Sequence, residues 1–169
     1  MAICATGLVH CRGGYYEFPL ERINMTSNSI WHRSLSLAEL NAAKNTMVDH
    51  LGIEFIELGD DFIKARMPVD HRTHQPMGLL HGGASVALAE TLGSSGAFLC
   101  VDHKKYNVVG LEINANHIRS VQDGWVVGTA RPLHRGRTTQ LWEIRITDVA
   151  DKLVCVSRLT IAVIEKTPA

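Results

Sequence analysis

Between Ala84 and Val101 the chain runs eighteen residues without a proline, rich in Ala, Ser, Gly and Leu, with Glu90 as the one charged side chain. Such a run is a helix, and its small residues let a neighbouring element press close to its backbone. Leu88, Leu92, Phe98 and Leu99 keep it apolar on nearly every side, the mark of a buried helix. Whatever else the chain forms has to be arranged around that rod.

The flanking sequence supplies mostly strands. Ser36 followed by Glu39 is the capping-box spacing, and Leu37, Leu40, Ala43, Met47 and Leu51 recur at helical intervals, predicting a helix over Leu37–His50 that Gly52 stops. Ile53–Leu58 and Phe62–Val69 flank Gly59-Asp60-Asp61 as a hairpin. Beyond the long helix, Val108–Ile118, Trp125–Leu133, Thr138–Thr147 and Leu153–Ile164 read as four strands, with turn residues at Gln122-Asp123-Gly124 and Asp148-Val149-Ala150-Asp151. Trp142, Ile144 and Ile146 alternate with Glu143, Arg145 and Thr147, as in a half-buried strand. One long helix among strands predicts an α+β layer, an antiparallel sheet curling around the helix.

At 169 residues the chain suits one domain. Residues 1–24 lack periodicity and precede a second methionine, Met25, so they are expected to be a disordered extension left by an upstream start or an expression remnant, with a regulatory arm as the alternative reading and 25–169 as the domain. Seventeen basic residues balance seventeen acidic ones, which gives none of the basic footprint of a nucleic-acid partner. Cys4, Cys11, Cys100 and Cys155 form no CxxC pair or secreted-type framework, pointing to a reducing, cytoplasmic compartment. No apolar run approaches the ~20 residues of a membrane span.

Glu90 is the residue most in need of a function. A buried helix rarely holds a carboxylate unless it is paired or used, and an acid kept from water is poised for general-base or nucleophilic work. Seven residues earlier ends His81-Gly82-Gly83, where two glycines admit a ligand close to the backbone and the helix start offers unpaired N–H groups for a developing oxyanion. Taken alone, that turn is equally a plain glycine entry to a helix. His71, His74 and His81 could be drawn as metal ligands, but no cysteine or carboxylate cluster completes a set, so no metal and no cofactor are expected. A GxSxG elbow and phosphate-binding glycine loops are also missing. Arg119, Arg131, Arg135 and Arg137 are ordinary surface charges unless the substrate carries phosphates.

Gln75-Pro76-Met77-Gly78-Leu79-Leu80-His81-Gly82-Gly83-Ala84-Ser85 and Leu88-Ala89-Glu90-Thr91-Leu92-Gly93-Ser94 resemble the hotdog-fold thioesterases of the 4-hydroxybenzoyl-CoA and phenylacetate type. Val109-Gly110-Leu111-Glu112-Ile113-Asn114-Ala115-Asn116-His117 and Arg131-Pro132-Leu133-His134-Arg135-Gly136 sharpen the likeness toward bacterial 1,4-dihydroxy-2-naphthoyl-CoA hydrolases of menaquinone synthesis and their enterobactin-proofreading relatives. The resemblance runs from about Ile30 to Ile164 and implies a hotdog fold, a sheet wrapped around one central helix, paired into dimers and again into a tetramer. It implies a hydrolase of an aromatic acyl-CoA. The family's catalytic positions fall on Glu90, as nucleophile or general base, on His81 and Gly83, the latter's N–H polarising the thioester carbonyl, and on Gln75, orienting the carbonyl or water. Substrate-binding positions fall on Gly82, Ser94, His117, Arg119, Ser120 and Arg137, with Ser94 and His117 reaching the acyl or pantetheine path from the partner subunit. A hotdog dehydratase would carry its His and acid in other motifs. A non-catalytic acyl-binding protein would not need Glu90.

Overall fold

The computed structural model describes residues 8–11, 14–17, 29–33 and 35–167. The expected disorder of residues 1–24 therefore falls mostly outside the described residues; within that stretch, β1 (Leu8–Cys11) and β2 (Gly14–Glu17) form a separate antiparallel ladder.

Local chemistry then sets the elements in turn. Ser36 and Glu39 make both bonds of the capping box and start α1 (Leu37–Leu40). The single helix expected here is broken in two. Asn41 ends α1 because its side-chain amide bonds both the N–H and the C=O of Phe55, standing in for a strand partner. Asn45 adopts a left-handed φ of 59° and Thr46 caps a fresh start, α2 (Met47–Leu51). Gly52, at φ 68°, closes α2 as a left-handed C-cap, as its position predicted.

The hairpin of β3 (Glu54–Leu58) and β4 (Ile63–Pro68) leads into the long helix α3 (Gly82–Leu99). Four strands follow: β5 (Tyr106–His117), β6 (Trp125–Arg135), β7 (Thr139–Asp148) and β8 (Leu153–Glu165). The main sheet is wholly antiparallel, in the order β3-β4-β6-β7-β8-β5, so β5 is an edge twelve residues long.

The sheet curls around α3, and the small residues of the helix explain how closely. A Cβ at Gly93 would stand 2.6 Å from Leu159, and one at Gly96 would stand 2.7 Å from the Trp142 ring. Leu88, Leu92 and Leu99 fill the space between, against Ile144, Ile146 and Ile161. Trp31 stacks on Trp142 with ring centroids 6.2 Å apart and seals one end. One expectation changes: α3 is not buried all round. Val86, Ala87, Glu90, Ser94 and Ser95 are half-buried and Phe98 is exposed, because a single six-stranded sheet leaves one stripe of the helix uncovered.

Candidate active site

Two groups of functional side chains sit on α3, one at its start and one at its middle. At the start, the segment between β4 and α3 folds back on itself. Gln75 donates its N–H to the Leu79 carbonyl at 2.8 Å and accepts from Gly78 N–H at 2.9 Å, with Gly78 at φ 73°. The Gln75 Oε1 accepts a short bond from Met77 N–H, which pins the amide and leaves Nε2 as its free donor.

His81 caps the helix. Its Nδ1 accepts the Gly83 N–H at 2.8 Å, so in the neutral ring the proton sits on Nε2. Ala84 and Ser85 donate to the His81 carbonyl. The resemblance put the carbonyl-polarising role on the Gly83 N–H; in this geometry that N–H donates to the His81 cap. The Gly82 N–H, one residue earlier, has no hydrogen-bond partner among the described residues.

His117, at the end of β5, packs directly on Gly82: a Cβ there would be 2.7 Å from His117 Nε2. His117 thus stands beside the Gly82 of its own chain, on the side of the molecule that carries Gln75. Gln75, Gly82 and His117 line one cavity of about 320 Å³ together with Ser85, Arg119 and Ser120. Arg137 is not among them. It lies in the β6–β7 turn beside Arg135, which bonds the Ile30 carbonyl and reaches Cys100 at the far end of α3. Arg131 is engaged elsewhere, paired with Asp61 at 2.5 Å and lying over the Phe62 ring.

Glu90 lies two turns into α3, half-buried, its carboxylate over the backbone of Gly110 on the edge strand. Oε1 accepts the Ser94 hydroxyl at 2.9 Å, and a Cβ on Gly110 would come within 2.7 Å of the same oxygen. Oε2 makes no hydrogen bond among the described residues. Ser94 also opens on a second cavity of about 320 Å³ between α1 and α3, lined by Leu35, Glu39, Leu40, Ser95 and Phe98. Sequence reasoning did not assign Ser95 or Phe98; Phe98 lies four residues beyond Ser94 on the same helix face, a spacing that could have found it, whereas Ser95 carries no such signal.

Ordinary electrostatics frame the site. The Arg72 guanidinium holds the Asp70 carboxyl at about 2, and burial pushes the Cys100 thiol up to about 11 and raises that of Cys155. His71, His74 and His81 face different partners, Asp70, the Gln122 carbonyl and Gly83. Among the described residues no three His, Cys, Asp or Glu side chains converge as metal ligands, and no helix is long and apolar enough to cross a membrane.

A central helix gripped by an antiparallel sheet, with a helical carboxylate and a glycine turn donating backbone amides, defines a hotdog acyl-thioester hydrolase. Comparison with known proteins agrees. The thioesterase superfamily model matches residues 77–155. The chain is 52% identical over 136 residues to the 1,4-dihydroxy-2-naphthoyl-CoA hydrolase of Escherichia coli, covering 80% of this chain and 99% of that one. It is 55% identical over 135 residues to the proofreading thioesterase EntH of Cronobacter turicensis, covering 79% and 98%. A Haemophilus influenzae thioesterase of solved structure superposes with a TM-score of 0.78 at 52% identity, covering 80% of this chain and 95% of that one. The chain belongs to the thioesterase superfamily and is a hotdog-fold thioester hydrolase.

Proposed function

We propose that the chain hydrolyses an aromatic acyl-CoA, 1,4-dihydroxy-2-naphthoyl-CoA or a close relative, at a site built from two copies of itself. The observation that carries the substrate class is the position of Ser94. It touches the Glu90 carboxylate and also lines the cavity of Leu35, Leu40 and Phe98, so the reacting acid stands at the threshold of a mostly apolar chamber wide enough for a ring. Ser95 and Glu39 add polar atoms that suit ring hydroxyls. The Escherichia coli relative's substrate fits the same description.

The need for a second copy follows from distance. Glu90 stands eight residues from Gly82, about 12 Å along the helix axis, and its Oε1 turns toward Ser94, away from the helix start. A carbonyl under attack needs its nucleophile within roughly 3–3.5 Å and its oxygen about 3 Å from the donors. One chain cannot bring Glu90 and its own Gly82 that close. The uncovered stripe of α3 and the exposed edge β5, with Val109 48% and Leu111 62% accessible, provide the surface for a partner chain. In the proposed site Gln75 Nε2 and the Gly82 N–H of one copy polarise the thioester carbonyl, while Glu90 of the other supplies the attacking oxygen or activates water through Oε2. The thioester C–S bond breaks, the CoA thiolate leaves along the cavity of His117, Arg119 and Ser120, and water ends as the acid hydroxyl.

A second reading rests on the 55% identity to a proofreading thioesterase: in it, this chain takes an aryl thioester carried on a protein instead of on CoA. Ranking kcat/KM over aryl-CoA, fatty acyl-CoA and aryl-carrier thioesters separates them. Preference for aryl-CoA supports the proposal; preference for long fatty acyl chains defeats the aromatic assignment.

A further inference from the structure

Thr73 touches neither cavity, yet it is 1% exposed and every polar atom it has is used. Its N–H donates to the Asp70 carbonyl at 2.9 Å. Its hydroxyl donates to the Pro68 carbonyl at 2.9 Å and accepts the Asp70 N–H at 3.1 Å. Its own carbonyl accepts the His81 N–H at 2.8 Å. The residue therefore joins the end of β4, the turn that follows and the N-cap of α3 at one point. Between Thr73 and His81 the chain makes a closed loop, with His74 and Leu80 paired at its neck and Gln75 just beyond. The Leu80 N–H and His74 Nε2 tie that neck to the carbonyls of Val121 and Gln122. The two arms of this loop carry the two donors of the site, Gln75 on one and His81-Gly82 on the other.

We propose that the Thr73 hydroxyl is a positioning residue for thioester hydrolysis, fixing the Gln75 amide relative to the Gly82 N–H so that both aim at one carbonyl oxygen. The inference rests on the reading of Gln75 and Gly82 as the carbonyl donors. A Val side chain keeps the shape of Thr but strands the Pro68 carbonyl and the Asp70 N–H in a buried place, and the loop relieves that by shifting. A shift approaching 1 Å at such donors costs up to ~10²-fold in rate. Because the donors act on the carbonyl and not on the CoA moiety, the loss falls on kcat.

The test is steady-state kinetics with 4-hydroxybenzoyl-CoA on the full chain carrying Thr73→Val, Thr73→Ser, Gln75→Ala and the Thr73→Val/Gln75→Ala pair. The expected result is a kcat loss of about ten- to a hundredfold for Thr73→Val with KM within about threefold, near-wild-type kcat for Thr73→Ser, and a double variant no slower than Gln75→Ala within about twofold. Melting temperature falls for any role of Thr73 and does not decide the matter. If the two losses multiply, or if Thr73→Ser is as slow as Thr73→Val, the positioning role is overturned while the donor assignment stands. If Gln75→Ala alone keeps full kcat, the donor assignment itself fails and this inference with it. Should Thr73→Val not fold, Thr73→Ala against Thr73→Ser isolates the same hydroxyl, and equal kcat in those two overturns the proposal.

Discussion

Placing a methyl group on Gly110 tests how tightly the carboxylate is held. A Cβ there would stand 2.7 Å from Glu90 Oε1, about 0.7 Å inside ordinary contact, and 3.8 Å from Oε2. Gly110 pairs with Ile161 on β8 beside a bulge at the next residue, and the atom in the way is the far end of the Glu90 side chain, so the carboxylate yields. Moving Oε1 off the strand disturbs the 2.9 Å bond that Ser94 donates to it. Gly110→Ala is not conformationally strained, since its φ is not among the positive values, and loss of glycine's backbone freedom favours the folded state by about 0.5–1 kcal/mol. Overpacking costs about 1–3 kcal/mol, so the net change in stability is small, destabilising by no more than about 2.5 kcal/mol. The rate responds more strongly, because a misplacement near 1 Å costs ~10²-fold; a 0.7 Å displacement predicts a fall in kcat of about ten- to a hundredfold. The assay is thiol release from an aryl-CoA thioester, run beside thermal unfolding. A folded Gly110→Ala protein with kcat within about twofold of the parent would refute the placement of Glu90 over this strand.

Other predictions rest on separate features. Gly82→Ala drives a methyl group to within 2.7 Å of His117 Nε2 beside the free amide; kcat/KM is expected to fall about ten- to a hundredfold, and less so in a His117→Ala background, as read from initial rates. Asp70 is held at about 2 in the folded chain against its usual 3.8, so the Asp70–Arg72 pair contributes stability that is complete above pH ~4 and lost as pH falls toward 2. Asp70→Asn should flatten that part of the melting-temperature profile, and an unchanged profile contradicts the pairing. Cys100, with its thiol pushed up to about 11, is expected to resist alkylation at neutral pH in the native protein and to react readily in denaturant. Peptide mapping after iodoacetamide treatment checks this, and rapid native labelling of Cys100 would contradict it.

Much of the architecture was legible because the sequence states it locally. The proline-free small-residue run gave α3, and the alternation about Trp142 gave the inward face of β7, with Trp142, Ile144 and Ile146 all fully buried. The split of the first helix was not legible, because the Asn41 side chain meets Phe55 fourteen residues away and no local spacing reveals it. In the same way, nothing in the order His-Gly-Gly tells which amide the histidine will cap. Only the fold shows Nδ1 on Gly83 and leaves the Gly82 N–H without a partner among the described residues. The apolar circumference of α3 predicted full burial, yet one chain covers only part of it. The uncovered stripe around Glu90 is the part of the pattern that the proposed second chain would cover.

The most direct test of the account is to mix two inactive chains, one carrying Glu90→Gln and one carrying Gln75→Ala, by unfolding and refolding them together. If each site takes its acid from one copy and its carbonyl donors from the other, mixed dimers form one intact site of two. With random pairing half the dimers are mixed, and the mixture regains about a quarter of parental kcat. An activity that stays at the average of the two inactive variants, with mixed dimers present by mass, would contradict it.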